Sequence, residues 1–252
     1  MTLAVDIGNT NITFGVFEDA SPARTFRLLT HSVIDGANPS LPNETFELTK
    51  VVSIGIASVV PNATEPVRSL LHRQFPSANI SVLRNTDIPI INRYRHPEQT
   101  GVDRLLASLA AYRMHRSLKR PLVVIDLGTA TTIDCISANG EYLGGIITLG
   151  IGSSAEALSS LTAQLPKIEL QFPNRVLGRS TVESMQSGIL YGALSSVEGL
   201  VQRLSQEVFP NESPLVVATG GLADLLKERT NSINSFESHL VLKGIVITMS
   251  SL

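Results

Sequence analysis

Residues 3–13, LAVDIGNTNIT, and residues 123–133, VVIDLGTATTI, are the two stretches of this sequence that decide its fold. Each begins as an apolar strand that ends on an aspartate, Asp6 or Asp126. An apolar residue, a glycine and a polar turn follow, and a second strand comes next. Two strands joined by a tight glycine turn predict an antiparallel hairpin. Since the pattern recurs after 120 residues in a chain of 252, it indicates a duplicated unit.

The rest of the chain alternates between strand-like and helix-like segments. A helix is predicted at 102–115, because its apolar residues Val102, Leu105, Leu106 and Leu109 recur with helical spacing. Further elements are predicted as strands at 51–57 and 215–219, as helices at 63–74, 181–208 and 222–229, and as an irregular surface excursion at 31–49. Alternation of this kind predicts an α/β fold with two similar halves that face each other across a cleft.

The composition excludes several classes of protein. Twenty Lys and Arg residues against 22 Asp and Glu give a net charge of −2, whereas non-specific nucleic-acid binding relies on excess positive charge. A single cysteine, Cys135, forms neither an internal disulfide nor a cysteine-based zinc site, and its apolar strand indicates a core residue. The longest apolar stretches fall short of the roughly 20 residues of a membrane span, and no secretory signal is visible. We therefore expect a cytoplasmic protein with no nucleic-acid or membrane partner.

The turn at residues 6–11, DIGNTN, has the composition of a phosphate-binding turn. Glycine lets the backbone approach a phosphate closely, and the N–H groups of residues 8–10 would be the donors. The Asp6 carboxylate would hold Mg²⁺ through water, which suits the way this ion binds in proteins. The alternative is a hairpin whose glycine only satisfies turn geometry. The recurrence at Asp126 favours phosphate binding, and the sequence has neither a P-loop nor the dinucleotide-binding glycine motif.

The segment Tyr94–Arg104 lies between the two candidate phosphate turns and suggests a substrate site. Gly101 allows a tight turn into the predicted helix. Asp103 would lie in the first helical turn, where a negative charge is favoured by about 0.3–1 kcal/mol, and this effect alone would explain it. A cation is disfavoured at the same place, so Arg104 indicates a further role. An adjacent Asp–Arg pair at a helix start suits a site that accepts a proton and holds a polar substrate.

The sequence resembles the type III pantothenate kinases over nearly its whole length. The resemblance is carried by DIGNT at 6–10, SVVP at 58–61, residues 94–104, DLGTATT at 126–132, residues 140–150 and TGG at 219–221. These kinases are part of the superfamily of actin, sugar kinases and heat-shock ATPases. The resemblance implies a duplicated actin-like (ribonuclease H-like) α/β fold, with halves at 1–118 and 119–252 around a nucleotide cleft. It also implies that Gly220 and Gly221 lie near the adenosine, although a glycine pair can equally begin a helix without a ligand.

The resemblance further implies the activity. Members of the family phosphorylate the hydroxyl of pantothenate with ATP, which is the first step towards coenzyme A. The implied assembly is a homodimer, and the implied cofactors are Mg²⁺ and a monovalent cation, potassium or ammonium.

The resemblance assigns roles by motif position. Asp103 would be the general base on the pantothenate hydroxyl, Asp126 would bind the monovalent cation, and Asp6 would lie near the magnesium. The residues implied to bind ATP are Asp6, Ile7, Gly8, Asn9, Thr10, Asn11, Ile12, Thr13 and Thr129. The residues implied to contact pantothenate are Tyr94, Gly101, Val102, Asp103, Arg104 and Thr181.

Thr181 has two explanations that are compatible. The resemblance implies that it reaches the substrate across the dimer interface. Ser180 and Glu183 also form a capping-box pattern, and a cap at Ser180 would leave the Thr181 hydroxyl free. Three positions depart from the family pattern, since His96 replaces a common Asn, Leu149 a common Pro, and Ser180 a common Asn.

Two other functions fit the same fold. One is a kinase of another small hydroxylated acid, because a fold does not determine the substrate. The other is a nucleotide-binding regulatory protein without turnover. Such a protein needs no general base, so the presence of Asp6, Asp103 and Asp126 favours an enzyme.

Overall fold

The computed structural model describes residues 1–18, 22–35 and 50–252. The chain divides into two compact units. The first consists of Met1–Met114 together with His239–Leu252, and the second consists of His115–Ser238.

The first unit is built on one mixed sheet. Its described elements up to residue 115 are β1 (Thr2–Ile7), β2 (Asn11–Phe17), β3 (Pro22–Leu29), α1 (Thr30–Ile34), β4 (Ser53–Ser58), α2 (Pro61–Gln74), β5 (Asn79–Val82), β6 (Ile91–Asn92) and α3 (Val102–His115). The strand order is β3-β2-β1-β4-β5. β1 pairs antiparallel with β2 and parallel with β4, so a hairpin continues into a crossover connection.

The second unit has the same kind of sheet. Its elements are β7 (Leu122–Leu127), β8 (Ala130–Ile136), β9 (Glu141–Leu149), α4 (Ile151–Leu161), α5 (Thr181–Glu207), β10 (Leu215–Thr219) and β11 (Ser235–Phe236). These strands lie in the order β11-β10-β7-β8-β9. β7 pairs antiparallel with β8 and parallel with β10, which repeats the arrangement around β1. The predicted α/β fold with two repeated hairpins is confirmed.

Each sheet carries its own apolar core. Every residue of β1 between Leu3 and Val5 is fully buried, as expected for a strand whose two faces are both covered. In the second unit, Val123 and Ile125 of β7 pack with Leu190 of α5. Cys135 lies in this second core at 3% exposure, and burial raises the pKa of its thiol to about 12. The prediction of a core cysteine is confirmed.

The last helix, α6 (Leu240–Met249), packs on β1 and β4 of the first unit. A Cβ atom added at Gly244 would lie 2.2 Å from the Leu106 carbonyl oxygen, so the backbones of α6 and α3 are in close contact. The compact units therefore differ from the sequence-based halves at 1–118 and 119–252, which place the last helix in the second half. The reason is that the apolar side chains of α6 complete the core over β1 and β4.

Most predicted elements are present with small changes in their bounds. α3 begins and ends at the predicted residues, whereas the helix predicted at 222–229 is reduced to a short 3₁₀ turn, Ala223–Leu225. The irregular excursion predicted at 31–49 is wrong at its start, because α1 continues directly from β3. Residues 36–49 lie outside the described part of the chain. Among the helices that the structure describes, none combines the length and the apolar character that crossing a bilayer requires.

Candidate active site

The first candidate phosphate turn joins β1 to β2. Asp6 lies half-buried near the end of β1, and the exposed residues Asn9 and Thr10 form the tip of the turn. The Gly8 N–H group donates to the Asn11 carbonyl at 3.0 Å, which closes the turn. The backbone at its tip is therefore accessible to a ligand.

Two of the residues implied to bind ATP could do so only through the backbone. The side chains of Ile7 and Ile12 are fully buried in the first core. They pair with each other across the hairpin, so this pair helps to fix the register of β1 and β2. Thr13, which pairs with Asp6, keeps a half-buried side chain.

A threonine that the sequence does not single out holds this turn. Thr30, only 1% exposed, donates its hydroxyl to the Gly8 carbonyl at 2.6 Å. Its N–H group donates to the Thr10 carbonyl at 3.0 Å. The carbonyl groups of Gly8 and Thr10 are thus both engaged by one residue at the start of α1. No local motif marks Thr30, because its partners lie about 20 positions away in the sequence.

The second candidate turn joins β7 to β8 and follows the half-buried Asp126. The Gly128 N–H group donates to the Ala130 carbonyl at 3.1 Å, and Thr129 is exposed at the tip. The Thr129 carbonyl accepts from the N–H group of Gly150 at 3.1 Å and from the hydroxyl of Ser153 at 2.7 Å. Donors at the start of α4 therefore hydrogen-bond to this turn. Ser153 is a second residue that no sequence motif indicates.

Gly220 packs against the second turn, beside Asp126 and Leu127. Its φ of 99° is a backbone conformation that side chains rarely adopt. A Cβ atom added there would lie 2.5 Å from Asp126 Oδ1 and 2.6 Å from the backbone nitrogen of Leu127. Only glycine fits at this position, so local packing explains why residue 220 is a glycine. The implied contact of Gly220 and Gly221 with adenosine stays a prediction.

The candidate substrate segment is held by two asparagines that the sequence analysis did not single out. Asn85 donates to the Thr100 carbonyl at 2.6 Å and to the Pro97 carbonyl at 3.3 Å. Asn92 donates to the buried Thr100 hydroxyl at 3.1 Å, and its side-chain oxygen accepts from the Tyr94 N–H group at 2.9 Å. These bonds fix the path of the chain from Tyr94 to the start of α3.

Asp103 occupies the first turn of α3. Its Oδ1 accepts from the N–H group of Arg104 at 2.8 Å, and a Cβ atom added at Gly101 would lie 2.5 Å from the same oxygen. Burial raises the pKa of Asp103, although the Arg104 N–H group and the Arg104 charge both act to lower it. The carboxylate is therefore a better proton acceptor than an exposed aspartate, and Gly101 leaves room beside it.

The neighbours of Asp103 differ in accessibility. Arg104 is only 7% exposed and Val102 only 6%, so the Val102 side chain belongs to the core. The implied contact of Val102 with pantothenate is open only to its backbone. Tyr94 is half-buried, and His96 is exposed.

Thr181 is the first residue of α5 and is exposed. Ser180 caps the helix by accepting from the Glu183 N–H group at 3.2 Å, and Glu183 Oε2 accepts from the Arg179 N–H group at 2.7 Å. The predicted cap at Ser180 is confirmed, and Thr181 lies beside it. Thr181 also lines a groove of about 530 Å³ between α4 and α5, which Leu149 and Met185 border.

The donor chemistry of the two aspartates suits hard cations. Mg²⁺ takes oxygen ligands, keeps several waters and needs only one or two carboxylates besides phosphate oxygens, which matches Asp6 beside a candidate phosphate turn. Asp126 presents the same kind of carboxylate beside the second turn. Among the described residues, no three or more His, Cys, Asp or Glu side chains are placed to hold a metal ion by themselves.

Comparison with known proteins identifies the family. A family model for type III pantothenate kinases matches residues 2–203. Type III pantothenate kinase 1 of Symbiobacterium thermophilum is 41% identical, over 97% of this chain and 94% of the relative. A type III pantothenate kinase of Solibacter usitatus is 38% identical over the same shares.

Solved structures support the fold. A Campylobacter jejuni protein described as a Baf family transcriptional activator superposes with a TM-score of 0.62 at 19% identity, and the match covers 99% of this chain and 98% of that one. MreB 5 of Spiroplasma citri superposes with a TM-score of 0.50 at 11% identity, over 99% of this chain and 96% of that one. The actin-like architecture is therefore confirmed, and the sequence matches establish that the chain belongs to the type III pantothenate kinase family.

Proposed function

We propose that this protein transfers the γ-phosphoryl group of ATP to the primary hydroxyl of pantothenate, which gives 4'-phosphopantothenate in the first step of coenzyme A biosynthesis. The observation that carries the proposal is the Asp103 carboxylate, which burial makes more basic and which lies at the head of α3 in a chain of this kinase family. Both substrates are available in the cytoplasm, where we expect the enzyme to work.

The reaction needs a proton acceptor and a phosphate grip. The pantothenate oxygen forms a bond to the γ-phosphorus, and the bond from that phosphorus to the β–γ bridging oxygen breaks with its electron pair leaving on ADP. The hydroxyl proton passes to Asp103. The Arg104 N–H group holds Asp103 Oδ1 at 2.8 Å, so this bond orients the carboxylate for the transfer. Backbone groups of the turn at 6–13 and Thr129 bind the phosphates in this proposal.

Pantothenate binding is assigned to the segment that Asn85 and Asn92 hold. Tyr94, Gly101 and Arg104 contact the substrate, and Val102 does so through its backbone. Arg104 suits the negative carboxylate of pantothenate because a guanidinium offers several donors in a fixed plane.

Two cations complete the proposed site. Asp6 holds Mg²⁺ through water, and Asp126 holds a monovalent cation, potassium or ammonium. When bound, these ions neutralise negative charge on the phosphates, which is most of what phosphoryl transfer requires besides positioning.

The first test is an assay of purified protein with ATP, Mg²⁺ and pantothenate, in potassium buffer and in sodium buffer, with Asp103→Asn as the control. We expect phosphopantothenate only in potassium buffer and none from the variant. Product in both buffers would remove the monovalent cation from the proposal but keep the kinase. If wild-type protein binds ATP and forms no product in either buffer, the chain is a nucleotide-binding regulator or a kinase of another hydroxylated acid.

We further propose a homodimer in which the groove between α4 and α5 takes part in the contact. Apolar side chains stay exposed along it, with Leu149 at 59% and Leu158 at 38% exposure. Exposed apolar patches of this kind mark interaction sites. Thr181, which lines the groove, would reach the pantothenate of the partner subunit.

Sedimentation and mixing experiments test the dimer. Leu149→Glu should give a monomer with weakened pantothenate turnover, whereas Leu118→Glu, an exposed leucine outside the groove, should stay dimeric. Mixing inactive Asp103→Asn with weakly active Thr181→Ala should restore turnover, because one site of each mixed dimer then has both native residues. Mixing Asp103→Asn with the double variant that lacks both residues should restore nothing. A failure of the first mixture would contradict the shared site.

A further inference from the structure

We propose that the hydroxyl groups of Thr30 and Ser153 are positioning groups that hold the two phosphate turns in a shape able to accept ATP. Neither residue is in the part of the sequence that the family motifs cover. The inference rests on the proposed binding of ATP phosphates by these turns, and it adds the residues that give the turns their shape.

The first turn shows the arrangement most directly. Thr30 gives its hydroxyl to the Gly8 carbonyl at 2.6 Å and its N–H group to the Thr10 carbonyl at 3.0 Å. At 1% exposure, Thr30 offers these bonds with almost no competition from water. Two carbonyl groups on either side of Asn9 are thereby turned towards α1.

The second turn is held in the same way from the start of α4. Two donors converge on the Thr129 carbonyl, the Gly150 N–H group at 3.1 Å and the Ser153 hydroxyl at 2.7 Å. A Cβ atom added at Gly150 would lie 2.3 Å from the Gly128 carbonyl oxygen and 2.4 Å from that of Thr129. The start of α4 is thus pressed against the turn, and Ser153 is the side chain that reaches it.

The two arrangements occupy equivalent places in the duplicated fold. Thr30 follows β3 and begins α1, and Gly150 follows β9 and precedes α4. Residues 30 and 150 are 120 positions apart, the same separation as Asp6 and Asp126. Each turn therefore receives hydrogen bonds from the element that follows the third strand of its own hairpin sheet.

Holding a carbonyl matters because phosphate oxygens are negative. A carbonyl oxygen that points at a phosphate repels it, whereas an N–H group attracts it. A trans peptide group directs its C=O and N–H in opposite directions, and the described chain contains no cis peptide bond. Fixing the carbonyl groups of Gly8, Thr10 and Thr129 therefore also fixes the directions of the N–H groups that follow them.

The test removes each hydroxyl and then restores it. Thr30→Val and Ser153→Ala lack the hydroxyl, and Thr30→Ser and Ser153→Thr keep it. Ser32→Ala and Ser159→Ala are matched controls, because their hydroxyls donate to carbonyls three residues away, those of Leu29 and Glu156. The measurements are the Kd of a non-hydrolysable ATP analogue by calorimetry, the KM values of both substrates, and the Tm.

We expect Thr30→Val and Ser153→Ala to weaken binding of the ATP analogue by about three- to tenfold, the size of one hydrogen bond. The KM of pantothenate should stay unchanged, and the hydroxyl-bearing variants should recover native affinity. A lower Tm with native analogue affinity in both variants would show a purely structural role and overturn the proposal. An equal rise in both KM values would do the same.

The outcome is separable from that of the proposed function. If wild-type protein binds the analogue but does not phosphorylate pantothenate, the kinase proposal fails, and the affinities still decide the role of the two hydroxyls. If wild-type protein does not bind the analogue, both proposals fall. Should Thr30→Val not fold, the half-buried Ser153 and its variants decide the question.

Discussion

The carboxylate of Asp126 lies directly against Gly220: a Cβ atom on residue 220 would be 2.5 Å from Asp126 Oδ1. The Leu222 N–H group, two residues on, donates to the Leu127 carbonyl at 3.1 Å, so the chain after β10 follows the second turn closely. Asp126 can therefore lie where it does only because residue 220, far along the sequence, is a glycine and has no side chain.

Gly220→Ala should therefore impair both stability and turnover. A side chain at φ 99° costs about 1–3 kcal/mol, and the new methyl group would displace Asp126. Gly199→Ala, in α5, is the matched control, because nothing lies within 4 Å of its added Cβ atom. That substitution should stabilise the protein by about 0.5–1 kcal/mol. Denaturant unfolding and the kinase assay measure both effects, and equal behaviour of the two variants would contradict the argument.

Asp103→Asn should abolish activity without loss of stability. Turnover should fall by about 10²–10⁴-fold, as expected for a missing general base. Because the pKa of Asp103 is raised above 3.8, the folded protein binds this proton more tightly than the unfolded chain does. Ionisation of Asp103 therefore lowers stability as the pH rises from 3.8 through the folded pKa, and the loss is complete above it. At neutral pH the variant should be at least as stable as wild type.

The acid limb of the pH–rate profile offers a second check on Asp103. Since the base must be ionised, activity should decline at a higher pH than an ordinary aspartate would give. An acid limb centred at or below 3.8 would contradict the raised pKa. The measurement is the pH dependence of kcat/KM for pantothenate at saturating ATP.

His239 should make the fold sensitive to mild acid. Burial, followed by the charges of Arg27 and Lys243, lowers the pKa of His239 below 6.5. The folded protein therefore binds this proton less readily, and stability is lost as the pH falls from 6.5 to the folded pKa. His239→Asn should remove this part of the loss, and Asn tolerates the left-handed backbone at φ 60°. Unfolding curves above and below pH 6.5 test the prediction, which parallel losses in both proteins would contradict.

Tyr142→Phe removes only one hydroxyl group, but it should lower the free energy of unfolding strongly. The Tyr142 hydroxyl donates to Asp134 Oδ1 at 2.7 Å, and Asp134 is only 2% exposed. Removing one partner of a buried hydrogen-bonding group costs about 1–3 kcal/mol. Tyr191→Phe is the comparison, because its hydroxyl reaches the Pro173 carbonyl at a longer distance of 3.4 Å. Denaturant unfolding should show a clearly smaller loss for Tyr191→Phe than for Tyr142→Phe.

The parts of the fold with a local pattern could be predicted from the sequence. The hairpins after Leu3 and Val123 follow from strand, glycine and strand in direct succession, and the bounds of α3 follow from its apolar period. The Asp103–Arg104 pair stands out in the sequence because Arg104 places a cation at a helix start, where the helix dipole disfavours it.

The rest depends on contacts between distant residues. Thr30, Ser153 and Asn85 are single polar side chains whose partners lie 12 to 24 positions away, so no spacing rule identifies them. The burial of Val102, which limits it to backbone contact, also follows from tertiary packing. α6 is apolar around most of its surface, and a helix of this kind carries no stripe that indicates which sheet it covers.

Because α6 packs on the first sheet, the order in which the chain is synthesised affects the order in which the two units can fold. The first unit contains both ends of the chain, and the second unit is inserted between Met114 and His239. Residues 115–238 are made before α6 and have a core of their own, so they can fold first, whereas β1 and β4 stay without their covering helix until residues 240–249 have been made. Removing α6 would therefore expose strands that were synthesised long before it.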